Sequence, residues 1–156
     1  MKIHLLLAAS SLGLGMLLPA QEVRSPDGAL AVKLSLDGGA LTYTVSHQDR
    51  IMLEPSPLGL ETSIGSFATG LKADGVSTAR LDERYTLPHG KVRDVHYVAN
   101  ELSARFTNAN GDNLEVVFRV SDRDVAFAYR LSGQDRRRVT IQREATGFNF
   151  PAAATA

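Results

Sequence analysis

The chain has 156 residues, 17 basic and 17 acidic side chains, no cysteine and no tryptophan. The even charge balance excludes the broad basic field of a nucleic-acid binder. The lack of cysteine excludes disulfide staples, thiolate nucleophiles and cysteine-based metal sites.

Met1 to Ala20 reads as a secretory signal peptide, with Lys2 as the positive start, an apolar stretch from Leu5 to Leu18, and small Ala20 at the cleavage position. Ser10, Ser11, Gly13, Gly15 and Pro19 make the stretch too short and too broken to span a bilayer. No cysteine follows it to carry a lipid. The expected product is periplasmic or secreted, free of the membrane, and has the length of one domain, residues 21–156.

Ala31 to Leu36 alternates Val32, Leu34 and Leu36 with Lys33 and Ser35, the period of a strand with one dry face. Asp37, Gly38 and Gly39 supply a positive-φ turn, and Leu41, Tyr43 and Val45 return on the same face, predicting a hairpin. Gln48, Asp49 and Arg50 turn the chain again into Ile51, Met52 and Leu53. Glu54 to Glu61 then breaks the pattern. Pro55 and Pro57 cannot donate to a ladder, which predicts a rigid extended connector or an edge and not a central strand.

Thr62 to Asp74 is expected to be mostly loop, and Val76 to Leu87 one irregular strand closed by a Pro88, His89, Gly90 turn. Val92 to Val98 and Leu102 to Thr107 are read as strands flanking Ala99, Asn100 and Glu101. Asn108 to Asn113 is a turn, and Leu114, Val116, Phe118 and Val120 form one face of the next strand. After Ser121 to Asp124, Val125, Phe127 and Tyr129 face one way and Ala126, Ala128 and Arg130 the other. Arg136, Arg137 and Arg138 read as a solvated turn. Val139, Ile141 and Phe148 are assigned to the last strand. Short strands at regular spacing without a helical-period window predict an all-β antiparallel sandwich.

Chemistry is sparse in this pattern. Hydrolysis of a glycosidic bond needs an acid and a base flanking the bond. The available carboxylates, Glu54, Glu61, Asp82, Glu83, Glu101, Glu115 and Glu144, fall into no pair that spacing identifies. Asn108, Asn110, Asp112 and Glu115 crowd oxygen atoms into one turn, but Gly111 is misplaced for an EF-hand loop and strands flank it, so a hairpin turn is the expected reading. His47, His89 and His96 sit on separate elements without ligand spacing. Neither a nucleophile elbow nor a phosphate-cradling loop is present. Catalytic, cofactor-binding and metal residues are therefore all expected to be none. Few aromatic residues argue against a stand-alone sugar-binding module.

Three segments stand out: EPSPLGLE (Glu54 to Glu61), YTLPHGK (Tyr85 to Lys91) and EATGFNFP (Glu144 to Pro151). With SPDG (Ser25 to Gly28), DGG (Asp37 to Gly39), LTYTVS (Leu41 to Ser46), YVANEL (Tyr97 to Leu102) and FRVSDRDVAFAYRL (Phe118 to Leu131), they follow in order from about Val23 to about Pro151. This series resembles the N-terminal, non-catalytic domain of glycoside hydrolase family 97. The resemblance implies a β-supersandwich of the galactose-mutarotase type, incomplete here because the family's sandwich continues beyond Pro151. It also implies a following (β/α)8 barrel as partner, acting on α-glucosidic or α-galactosidic bonds with calcium in its site. By that reading the chain is a truncated, accessory domain, its calcium and catalytic residues lying in the barrel.

Two rivals stay open at this point. One is a free-standing exported carbohydrate-binding or scaffold protein. The other is a catalytic sandwich of the mutarotase type, which needs an acid and a base in one cleft.

Overall fold

The computed structural model describes residues 20–88, 94–132, 138–152 and 154. Eleven strands are seen among the described residues: β1 (Gln21–Arg24), β2 (Leu30–Asp37), β3 (Ala40–His47), β4 (Arg50–Leu58), β5 (Leu60–Thr62), β6 (Gly65–Ser66), β7 (Lys72–Thr86), β8 (Asp94–Thr107), β9 (Asn113–Ser121), β10 (Val125–Ser132) and β11 (Ile141–Glu144). They form one sheet in the order β1-β2-β3-β4, a second in the order β10-β9-β8-β7, and a small third, β11-β5-β6. Every named pairing is antiparallel. Residues 1–19 of the expected signal segment lie outside the described residues, as do His89, Gly90, Lys91, Arg136 and Arg137 of the expected turns.

The period-two pattern decides which face of each strand is dry. Val23, Val32, Leu34, Leu41, Tyr43 and Val45 come from the first sheet, and Leu102, Ala104, Phe106, Leu114, Val116, Phe118 and Val120 from the second, into one apolar cluster. The side chains of β9 at 114, 116, 118 and 120 are wholly buried. Leu60, Ile64, Phe67 and Leu71, from β5 and the chain around β6, join the same cluster.

Turn chemistry sets the hairpins. Gly38 and Gly39 take φ of 54° and 80° between β2 and β3, the geometry of a two-residue hairpin that matches strand twist. A Cβ on Gly39 would also meet the Gly70 backbone at 2.9 Å. Between β3 and β4 the same left-handed region is taken by Gln48 and Asp49. In the SPDG loop, Ser25 is buried and its Oγ accepts the Leu30 amide at 2.9 Å, while Asp122 accepts the Asp27 amide at 2.9 Å, tying the loop to the β9–β10 turn.

Three expectations need correcting. Val76 to Leu87 is not an irregular strand: β7 starts earlier, at Lys72, and runs in unbroken register with β8 from Gly75 to Thr86. Ala99, Asn100 and Glu101 do not separate two strands. They lie inside β8, where Ala99 is buried, Asn100 donates to the Arg24 carbonyl at 2.8 Å, and Glu101 pairs with Arg119. The small and polar residues that look like a turn in sequence are there because this part of β8 is crossed by β1 and flanked by charged neighbours. Val139 lies before the last strand and Phe148 beyond it, since that strand runs only from Ile141 to Glu144.

Candidate functional site

Pro55 and Pro57 have no N–H to donate, so at those positions the Glu54–Glu61 segment can only accept, and the structure shows which donors it meets. Glu144–Asn149 runs antiparallel along it. Ala145 donates its amide to the Gly59 carbonyl at 2.9 Å, Gly147 to the Pro57 carbonyl at 3.0 Å, and Glu54 to the Asn149 carbonyl at 2.8 Å. The Asn149 side-chain amide donates to the Pro55 carbonyl at 2.7 Å, and its backbone amide to the buried Ser56 hydroxyl at 2.9 Å. The expected edge thus has β3 on one side and this irregular strand on the other. Two of the three unusual sequence segments are halves of one structural feature.

Under this seam lies an aromatic cluster. Tyr43 packs on Phe118, Phe127 and Phe148 with ring centroids 5.6, 6.1 and 6.4 Å apart, and Phe127 touches Tyr129 at 5.6 Å. The Tyr43 hydroxyl donates to the Gly147 carbonyl at 3.2 Å, and the Tyr129 hydroxyl lies 2.7 Å from Thr146 Oγ1. Burial pushes both phenols above the ordinary tyrosine value, and for Tyr129 the bonds to Thr146 and Gly59 partly offset it. Phe148 and Phe150 remain 57% and 65% exposed beside Asn149, and the facing strand carries exposed Ile51 and Met52.

The carboxylates considered from sequence are scattered and mostly engaged. Glu61 accepts from Ser66 at 3.0 Å and lies 3.8 Å from Arg143. Glu101 pairs with Arg119 at 2.8 Å, raising the guanidinium's affinity for its proton. Glu115 accepts from Ser103 and Arg130, and these bonds, the Ser103 one first, hold it below the ordinary glutamate value against the opposing effect of burial. Asp82 is 2.7 Å from His96 Nε2. Glu54, Glu83 and Glu144 are exposed.

Calcium does not fit the oxygen-rich turn. Asn108 is buried, its Oδ1 accepts the amides of Asn110 and Asp112, and both Asn108 and Asn110 donate to the Ile64 carbonyl, so these groups tie the β8–β9 hairpin to the β5–β6 turn. No group of three His, Asp or Glu side chains converges among the described residues. Where YTLPHGK begins, β7 and β8 form an arm. β9 pairs with β8 only from Ala99 onward, so Asp82–Thr86 with Asp94–Val98 is a two-stranded ribbon reaching past the sheet.

The family model for the glycosyl hydrolase 97 N-terminal domain matches residues 23–156. The chain belongs to glycoside hydrolase family 97. A probable retaining alpha-galactosidase of Streptomyces bingchenggensis is 37% identical over 129 residues, 80% of this chain and 19% of that protein. A retaining alpha-galactosidase of Bacteroides thetaiotaomicron is 28% identical, over 85% of this chain and 19% of its own length. Among solved structures, a beta-arabinopyranosidase superposes with a TM-score of 0.79 at 43% identity, covering 84% of this chain and 21% of that one. A family 97 enzyme of a Pseudoalteromonas strain, in complex with panose, shares the fold at a TM-score of 0.77 and 24% identity. The chain therefore spans about a fifth of the length of the curated relatives it matches. The resemblance read from the sequence segments and the antiparallel all-β sandwich are both shown.

The seam could not be read from sequence. The alternation identifies Tyr43, Phe118, Phe127 and Tyr129 as inward-facing, but nothing local says that their hydroxyls and rings hold Glu144–Asn149 against Glu54–Glu61.

Proposed function

We propose that this domain is an accessory, non-catalytic sandwich that packs on a catalytic barrel acting on α-glucosidic or α-galactosidic bonds and shapes the mouth of its site. The observation that carries the reading is the match of residues 23–156 to an N-terminal domain model, while the aligned part is only 19% of the length of either alpha-galactosidase relative. Two structural features support it. The carboxylates weighed from the sequence are tied into ion pairs and hairpins or lie apart on the surface. The exposed Phe148, Phe150, Ile51 and Met52 form an apolar rim of the kind that further polypeptide covers. Calcium, in this proposal, is held by residues of the barrel.

The test is an assay of the purified chain with aryl α-glucosides and α-galactosides, and the expected result is no release above a buffer blank. Release that disappears on substituting carboxylates of this chain would overturn the proposal. We also infer export with loss of residues 1–20. It is supported by the sequence pattern and by the position of Gln21, which opens β1 and pairs with Leu34. Mass spectrometry of periplasmic material is expected to give an N-terminus at or near Gln21, and intact Met1 there would count against it.

A further inference from the structure

The β8–β9 turn is locked to the β5–β6 turn by two asparagine side chains. The Ile64 carbonyl accepts from Asn108 Nδ2 at 3.3 Å and from Asn110 Nδ2 at 2.9 Å. Both nitrogens reach it because Gly65 has no side chain, for a Cβ there would lie 2.7 Å from Asn110 Nδ2 and 2.8 Å from Asn108 Nδ2. Asn110 is exposed and is followed by Gly111, which takes a φ of 82°. Asparagine is a labile side chain because the backbone nitrogen of the next residue can attack its amide carbon, and a following glycine, having no Cβ, leaves that nitrogen unshielded. The other asparagines, Asn100, Asn108, Asn113 and Asn149, precede Glu101, Ala109, Leu114 and Phe150, whose side chains crowd it.

We propose that Asn110–Gly111 is a site of spontaneous deamidation, whose rate the fold sets and whose product breaks the lock between the two turns. The Gly111 nitrogen attacks Asn110 Cγ. The N–Cγ bond forms, the Cγ–Nδ2 bond breaks, and Nδ2 leaves as ammonia with the proton that the Gly111 nitrogen gives up. Water then opens the cyclic imide. Addition at Cγ leaves an aspartate at position 110, and addition at the backbone carbonyl leaves an isoaspartate, with the chain running through Cβ and Cγ.

The folded chain restrains both reacting groups. The Gly111 N–H donates to the Asn108 carbonyl at 3.1 Å, and the Asn110 side chain is held on Ile64. Attack requires that side chain to leave Ile64 and turn onto Gly111, so the reaction proceeds through a local opening of the turn. After conversion the lock does not re-form. A carboxylate has no N–H for the Ile64 carbonyl, and it sets a negative charge beside that oxygen. In the isoaspartate the extra backbone methylene also moves Gly111 away from the Asn108 carbonyl. Nucleophile, electrophile and both restraining acceptors belong to this chain, so the reaction needs no partner except water.

The test incubates the purified chain in mildly alkaline buffer, folded and in urea, while peptide mass spectrometry follows the replacement of NH2 by OH at each asparagine. In urea, position 110 is expected to convert first. In the folded chain it is expected still to lead the other asparagines, but at least about tenfold more slowly than in urea. Asn110→Asp is expected to melt below the parent and to exchange the Gly111 and Asp112 amides faster, since Asn108 loses its neighbour on Ile64 and both amides are bonded to Asn108. Parent chain converted by incubation and isolated by its added charge is expected to behave likewise. The rate comparison stands whether or not the variant folds. Equal rates in the two states would overturn the proposal, as would a folded chain that converts first at another asparagine or never at position 110. So would converted chain whose melt and exchange match the parent.

Discussion

The Tyr129 hydroxyl accepts the Gly59 amide at 3.0 Å, joining the edge strand of the second sheet to the proline-rich end of the first. Gly59 is buried and its amide would otherwise face an apolar interior. The same hydroxyl bonds Thr146, so one oxygen holds three segments distant in sequence. Tyr129→Phe keeps the ring packing and strands that amide. An unsatisfied buried donor costs about 1–3 kcal/mol, and a loss of that size is expected in urea unfolding. Thr146→Val in the same background should cost less than it does alone, because the shared bond is already gone.

Gly147 leaves no room for a side chain, since a Cβ would lie 2.9 Å from both Cδ and Cγ of Pro57. Gly147→Ala must push the Glu144–Asn149 segment off the Glu54–Glu61 segment or shift a rigid ring. A destabilisation of about 1–3 kcal/mol is expected, as for other overpacked sites. A melt unchanged from the parent would show that the seam opens without cost.

Ser56 is fully buried, and its hydroxyl accepts the Asn149 amide while donating to the Glu54 carbonyl at 2.8 Å. Ser56→Ala removes both bonds at little change in volume, at a cost of about 0.5–1.5 kcal/mol for each. Hydrogen exchange is the sensitive measurement. The Asn149 amide is expected to exchange faster while the amides of β9 keep their protection.

Glu115 gives the acid limb of stability a definite sign. Its folded-state value is depressed, by the Ser103 hydrogen bond first and by Arg130 next. The stabilisation is therefore fully present above the unfolded glutamate value of about 4.3 and is lost as pH falls through the lower folded value. Melting temperatures of the parent are expected to fall over that acid range, and Glu115→Gln to flatten the fall. Asp27, lowered by the Ser25 hydroxyl and then the Ala29 amide, adds a smaller effect of the same sign because it is exposed.

The residue pattern by itself determined the strands and their dry faces. Val32 and Leu34, Leu41 to Val45, Leu114 to Val120 and Val125 to Tyr129 each face as their alternation requires, because a period of two leaves no other way to hide apolar side chains. Turns at Gly38–Gly39 and Gln48–Asp49 were legible for a related reason, being properties of a few adjacent residues. Tertiary structure alone decided the partners. Pro55 and Pro57 announce that an ordinary ladder is impossible, but not that Gly147 and Asn149, 93 residues from Ser56 in the latter case, are the groups that donate to this segment. Ala99 to Glu101 looked like a break because small and polar residues mark turns in isolation. Inside β8 they are what a strand carries where another sheet crosses it and a charged neighbour, Arg119, reaches over.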